Sequence, residues 1–143
     1  MKNRLYEEAL EIAGSYDVTT PKDSAVLYTV SYLPTTQNRD NAFAYLKKHP
    51  KAYTIEETIC GKKLVEMGIG YQATGLSQED VMHIWAVASR RFIPSIKGKV
   101  KAFVDGADSR SIFRMVELPL LLENNKITTI NGLNKYDFAK QFQ

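Results

Sequence analysis

The stretch 83-HIWAVASRRF-92 holds the chain's single tryptophan, Trp85, followed one turn on by Ser89 and then by Arg90 and Arg91. It sits inside a longer amphipathic segment. Val81, Ile84, Trp85, Ala88 and Phe92 recur at i, i+3, i+4, i+7 and i+11, the period of a helix with one buried face. Ser77 stands at the N-cap and Asp80 three residues on, with Glu79 also in the first turn, all suited to the positive end of a helix. Arg90 and Arg91 suit its negative end, and Pro94 closes it. Trp85 and Ser89, four residues apart, share one side of this helix. On the residues alone Trp85 reads either as a core plug, the usual fate of a helix tryptophan, or as an aromatic wall for a ligand.

Outward from this helix the elements alternate. Leu5, Ala9 and Ile12 mark a helix over residues 3–13, stopped by Gly14. The β-branched and aromatic run SAVLYTVSYL (24–33) reads as a buried strand, broken by Pro34. NRDNAFAYLKK (38–48) predicts a short helix ending before Pro50. TIEETICGKKLVEM (54–67) predicts another, with Thr54 and Glu57 forming a capping box. KVKAFVDG (99–106) alternates and then turns at Asp105-Gly106. SIFRMVELPLLL (111–122) reads as a loop entering a strand, which puts Glu117 at a strand-like position between Val116 and Leu118. ITTINGL (127–133) predicts a further short strand and turn, and KYDFAKQF a terminal helix. Together these give a mixed α/β single domain over 1–143 in two lobes. The N-terminal lobe (about 1–70) is helical. The C-terminal lobe (about 71–143) carries a small, mostly parallel sheet with flanking helices, and a cleft lies between them.

Composition excludes several classes. A chain of 143 residues that is 44% hydrophobic can build a core and is not a disordered tail. A net charge of +3 falls short of a nucleic-acid-binding arm but favours an anionic ligand such as a phosphate ester. No apolar run suggests stable membrane insertion, and the start MKNRLYEEALEIAG is a charged amphipathic stretch, not a signal peptide. The one cysteine, Cys60, cannot form an internal disulfide and reads as a buried thiol, with a Cys–His dyad as the alternative. Dinucleotide-fold, P-loop, nucleophile-elbow and HExxH motifs are all absent, and the two histidines, His49 and His83, lie far apart. The sequence therefore suggests neither a resident cofactor nor a metal centre.

Read with what lies downstream, the helix resembles that of the ADP-ribosyl cyclase and NAD glycohydrolase family. There the pattern W-x-x-x-S-R-R-F carries an active-site tryptophan and serine, matched here by Trp85 and Ser89. A strand ending in an Asn/Asp-Gly turn follows, matched by FVDGADSRS (103–111). Next comes S-x-F-x-x-V-E, here Ser111, Phe113, Val116 and Glu117, whose glutamate is the family's catalytic residue. Upstream, TIEET (54–58) is similar to the family's T-L-E-D-T, whose glutamate faces nicotinamide; that residue is Glu56. VLYT (26–29) stands where the family has a strand ending in Trp-Ser-Arg, so that Tyr28 replaces a second tryptophan and Thr29 the serine. The similarity spans roughly residues 24–120.

The resemblance implies an NAD+ glycohydrolase releasing nicotinamide and ADP-ribose, with minor cyclase activity and with NAD+ as a consumed substrate. It implies catalytic roles for Glu117, Trp85 and Ser89. Tyr28, Thr29 and Glu56 would bind substrate, and the backbone of Ser111, Ile112 and Phe113 would cradle its diphosphate. Val30 departs from the pattern, standing where the family has an arginine. Arg110 or Arg114 could replace it, and Arg90 or Arg91 could cap the helix or reach the diphosphate. The family's animal members are disulfide-rich, and this chain is not. That contrast, with the small size, implies the toxin end of a bacterial contact-dependent inhibition effector or similar delivered protein, acting in the target-cell cytoplasm and matched by an acidic immunity protein. Two other classes stay open on the residues alone. One is a nuclease toxin whose basic cleft uses Glu117 with an arginine. The other is a non-enzymatic binding module on the same fold.

Overall fold

The computed structural model describes residues 4–70 and 75–143. Its elements follow in the order α1 (Arg4–Ser15), β1 (Val26–Tyr28), α2 (Gln37–Lys48), a 3₁₀ turn (Ile55–Glu57), α3 (Ile59–Glu66), α4 (Gln78–Ser95), β2 (Gly98–Phe103), a π-helical turn (Phe113–Glu117), α5 (Leu118–Glu123), β3 (Ile127–Ile130), α6 (Lys135–Ala139) and a closing 3₁₀ turn (Lys140–Phe142). The three strands form one parallel sheet in the order β1-β2-β3. The mixed α/β class and the small parallel sheet are as the sequence predicts. The sheet draws on both halves of the chain, because β1 pairs with β2 in the register Val26↔Lys101, Leu27↔Ala102 and Tyr28↔Phe103.

Helix α4 is the spine of the molecule. Ile84, Ala88, Phe92 and Ile93 are fully buried, and they join Ala9 and Ala13 of α1, Leu64 of α3 and Phe113 in one hydrophobic core. Ser77 caps the helix, its hydroxyl accepting from the Asp80 N–H at 3.1 Å. Pro94 lies within the last turn and does not precede the end as expected; the helix runs on to Ser95. The carbonyls left over there are taken up by the buried Asn124, whose side-chain amide donates to Ile93 O at 2.9 Å and Ile96 O at 3.0 Å. Arg91 does cap a helix, but it is α1: its guanidinium donates to Ala13 O at 2.8 Å.

Three segments differ from the sequence expectation. The strand expected over 24–33 is only three residues long. Beyond Tyr28 the chain leaves the sheet, because Asn38 of α2 donates from one amide nitrogen to both Thr29 O and Asp105 O at 3.0 Å, and Tyr32 turns at φ +65°. The single helix expected over 54–67 is divided. Thr54 and Glu57 do form the capping box, but Thr58 takes an extended conformation (φ −70°, ψ 162°) and caps α3 anew by accepting from Gly61 N–H. The largest correction falls on 111–122, which is helical from Phe113 to its end and contains no strand. Phe113, Glu117 and Leu121 lie at i, i+4 and i+8 and are all buried, so the segment has a helical stripe with a carboxylate inside it. A leucine run interrupted by a charge and a proline disguises that period. Pro119 sits in the first turn of α5, directly after the π-helical turn. Among the described residues no helix is long and apolar enough to cross a membrane.

Candidate active site

Parallel strands leave their C-terminal ends open to a crevice, the usual ligand position in such sheets. Here the residues that follow β1, the 3₁₀ turn, the middle of α4 and the π-helical turn converge on a cleft of about 530 Å³. That volume is of the size that holds small molecules. Tyr28, Thr29, Glu56, Trp85, Ser89 and Glu117 all line it. Residues from four separate sequence motifs thus face one space.

Glu117 is buried, at 8% exposure, within the π-helical turn. Burial pushes its carboxyl up to about 7, and a hydrogen bond from the Ser89 side chain opposes that rise. Extra-residue turns of this kind occur often at functional sites, where they re-aim a side chain. Ser89 is 3% exposed and lies on the face of α4 that packs against this turn. One turn earlier, Trp85 is half-buried, and its indole N–H donates to Ile69 O at 3.0 Å. That bond fixes the ring while leaving part of it in the cleft. Trp85 is therefore both partly packed against the core and a cleft wall.

Across the cleft, the Tyr28 hydroxyl donates to the Glu56 carboxylate. Burial is the main cause of a raised Glu56 pKa, with the Tyr28 bond acting against it. Tyr28 is raised far above the usual phenol range, by burial first and then by the Glu56 charge. Glu56 stays in place because its turn lies tightly on α3. A Cβ at Gly61 would stand 1.9 Å from Ile55 O and 2.7 Å from Glu56 Cα. Thr29 is buried at the end of β1, its N–H bonded to Phe103 O at 3.3 Å.

Of the expected diphosphate cradle, Ile112 and Phe113 line the cleft, whereas Ser111 is fully buried and does not. The Ser111 N–H and hydroxyl both donate to Asp108 O, at 3.0 and 2.7 Å, and its hydroxyl accepts from Arg114 N–H at 3.1 Å. Ser111 thus starts the helical turn that carries Glu117. Neither candidate replacement for the missing arginine lines the cleft. Arg110 is bonded twice to Asp108, at 2.8 and 3.0 Å, and lies 4.1 Å over the Tyr32 ring. Arg114 donates to Ala107 O and Phe142 O. Cys60 is fully buried, its thiol directed to Ile12 O at 3.4 Å, and burial pushes its pKa up, so it is a structural thiol. The sequence reading missed Arg39 and Asn38. Both stand at the start of α2 after a proline-containing turn, where their residue types alone suggest only a solvated first turn.

No protein-family model and no curated protein matches the sequence. Solved structures do match. A structure of CD38 addressing its catalytic mechanism has a TM-score of 0.58 at 19% identity, covering 87% of this chain and 55% of that one. The fold is that of the ADP-ribosyl cyclases. Aplysia cyclase, complexed with the substrate NGD and the product cGDPR, gives 0.53 at 21% identity over 77% of this chain and 48% of that chain. Porcine CD38 carrying a covalent intermediate, ribo-F-ribose-5′-phosphate, gives 0.53 at 17% identity over 87% and 68%. This chain therefore spans roughly half to two thirds of the length of the structures it resembles.

Proposed function

We propose that this chain is an NAD+ glycohydrolase, releasing nicotinamide and ADP-ribose with minor formation of the cyclic product. The observation that carries the reading is the buried Glu117 carboxylate, held by Ser89 and opening onto the same cleft as Trp85 and Glu56. In the reaction the N-glycosidic bond breaks with its electron pair passing to the pyridinium nitrogen, and neutral nicotinamide leaves. Positive charge grows on the ribosyl centre. A carboxylate in a water-poor setting stabilises that charge and can hold the ribose hydroxyls. Water then adds to the anomeric carbon and gives up a proton. Trp85 offers a π-face to the cationic nicotinamide ring, and Glu56 an acceptor for its carboxamide. Thr29 and Tyr28 complete the opposite wall. The fold shared with structures holding NGD or a ribosyl intermediate supports the same substrate class.

The biological setting follows from the same reading. A free NAD+ glycohydrolase depletes a cofactor its own cell needs, so a delivered toxin with an acidic immunity protein over the cleft is the setting we favour. The net charge of +3 suits an acidic partner. The test of the activity is incubation of the purified chain with NAD+ and measurement of free nicotinamide, with RNA as a parallel substrate. Cleaved RNA beside intact NAD+ would select a nuclease. Intact NAD+ despite binding would select a non-enzymatic module.

A further inference from the structure

We infer that Arg39 is the anion anchor of the cleft, receiving the diphosphate of a dinucleotide substrate in place of an arginine at Val30. The identity of the anion rests on the NAD+ reading; the anchor itself rests on the following geometry. Among the described residues Arg39 is the one lysine or arginine that lines the cavity. Its position is built from the backbone outward. The Asn38 side-chain amide donates to Thr29 O at the end of β1 and to Asp105 O beyond β2, so the first turn of α2 is pinned against the C-terminal edge of the sheet. Asn38 is buried, and Arg39, its neighbour, is exposed and emerges at the rim.

An aromatic stack aims the guanidinium. Arg39 lies 4.9 Å over the ring of Phe43, one turn further along α2, and Phe43 meets Tyr28 edge-on at 5.7 Å. The chain Arg39–Phe43–Tyr28 thus runs from the rim to the cleft wall, and Arg39 is close enough to act on the charges of both Tyr28 and Glu56. Arg39 is itself hydrogen-bonded to Tyr28, whose hydroxyl donates to Glu56; that contact uses part of a five-donor fork and leaves the remaining donors for an incoming anion. A planar, always-charged fork is the side chain best matched to phosphate oxygens. The other arginines near the site are committed elsewhere: Arg110 to Asp108, Arg114 to backbone carbonyls, Arg91 to α1.

The experiment measures binding of ADP-ribose and of nicotinamide riboside, which lacks the diphosphate, to wild type, Arg39→Ala and Arg39→Lys. Thermal melting serves as the folding control. Removing a charge-assisted phosphate contact should weaken ADP-ribose about 10- to 100-fold in Arg39→Ala, with part of the loss restored in Arg39→Lys. Nicotinamide riboside should bind equally to all three. If Arg39→Ala holds ADP-ribose as tightly as wild type, the anchor is wrong, whatever the protein does to NAD+. If ADP-ribose binding depends on Arg39 but wild type releases no nicotinamide from NAD+, the anchor stands and the glycohydrolase reading fails. Equal weakening of both ligands would make Arg39 a general support of the cleft wall and overturn its role as an anion anchor.

Discussion

The side chain of Ser89, from the middle of α4, is hydrogen-bonded to the carboxylate of Glu117 in the π-helical turn. Burial and this bond act in opposite directions on one proton: burial raises the Glu117 pKa to about 7, and the Ser89 bond lowers it. On the proposed glycohydrolase reading, the pair sets the charge of the carboxylate that would face the ribosyl cation. Its titration falls near neutral pH, where a catalytic carboxylate changes activity most steeply.

Ser89→Ala removes the group that favours the anion. The Glu117 pKa should rise further, and the pH at which nicotinamide release reaches half its maximum should move upward from about 7. The measurement is a pH–rate profile of both proteins. An unchanged midpoint with lowered turnover would mean that Ser89 touches the substrate and does not tune the carboxylate.

Trp85→Ala should weaken substrate binding or turnover more than Trp85→Phe, because phenylalanine keeps a π-face and alanine keeps none. Both variants lose the indole bond to Ile69 O, so the difference between them does not come from that bond, and thermal melting of each separates lost core packing from lost ligand contact. Affinity for a nicotinamide-bearing ligand, measured on folded protein, decides this. Equal values for both variants and wild type would confine Trp85 to structure.

Much of this site could be read from residue order, and the failures have physical causes. The α4 helix announces itself by a complete amphipathic period, an N-cap and an acidic first turn, and Trp85 and Ser89 come with it, whereas the expected basic C-terminal end is absent because the helix runs past Arg90 and Arg91 to Ser95. Thr54 and Glu57 mark the start of the turn bearing Glu56 through a local capping box. Glu117 was identifiable by its motif but not by its conformation, since a carboxylate within a buried helical stripe breaks the very pattern that reveals helices. The three-residue length of β1 depends on Asn38 reaching Thr29 O and Asp105 O, bonds between distant parts of the chain that local propensity does not contain. Arg39 was invisible for the same reason. Only the docking of α2 against the sheet turns a first-turn arginine into a cleft residue.

Gly61→Ala should place a methyl group where Ile55 O stands 1.9 Å away, against backbone that cannot swing aside as a side chain could. The expected cost is about 1–3 kcal/mol of stability, with Glu56 displaced from Tyr28. Gly14→Ala is the control: nothing lies within 4 Å of its Cβ, and α1 should be unaffected or gain up to about 1 kcal/mol. Chemical denaturation of both variants compares them. Equal stability for the two would mean that the 3₁₀ turn is not packed against α3 as described.

Glu117→Gln gives opposite outcomes for activity and for stability. An amide keeps the shape but cannot stabilise a developing cation as a carboxylate does, so nicotinamide release should fall by roughly 10²-fold or more. Stability should move the other way. The folded-state pKa of Glu117, about 7, lies above its ordinary value of 4.5, so ionisation opposes folding. Its favourable contribution is full below about 4.5 and is lost as pH rises through about 7, a change of roughly 3 kcal/mol across that window. Wild type should therefore lose stability between pH 4.5 and 7 while its activity rises, and Glu117→Gln should lack this component of the pH dependence. Melting temperature against pH for both proteins, set beside nicotinamide release over the same range, tests the two halves together. A Glu117→Gln protein with wild-type turnover would remove Glu117 from catalysis. Parallel melting curves for variant and wild type across the window would mean that its carboxylate is not desolvated in the folded chain.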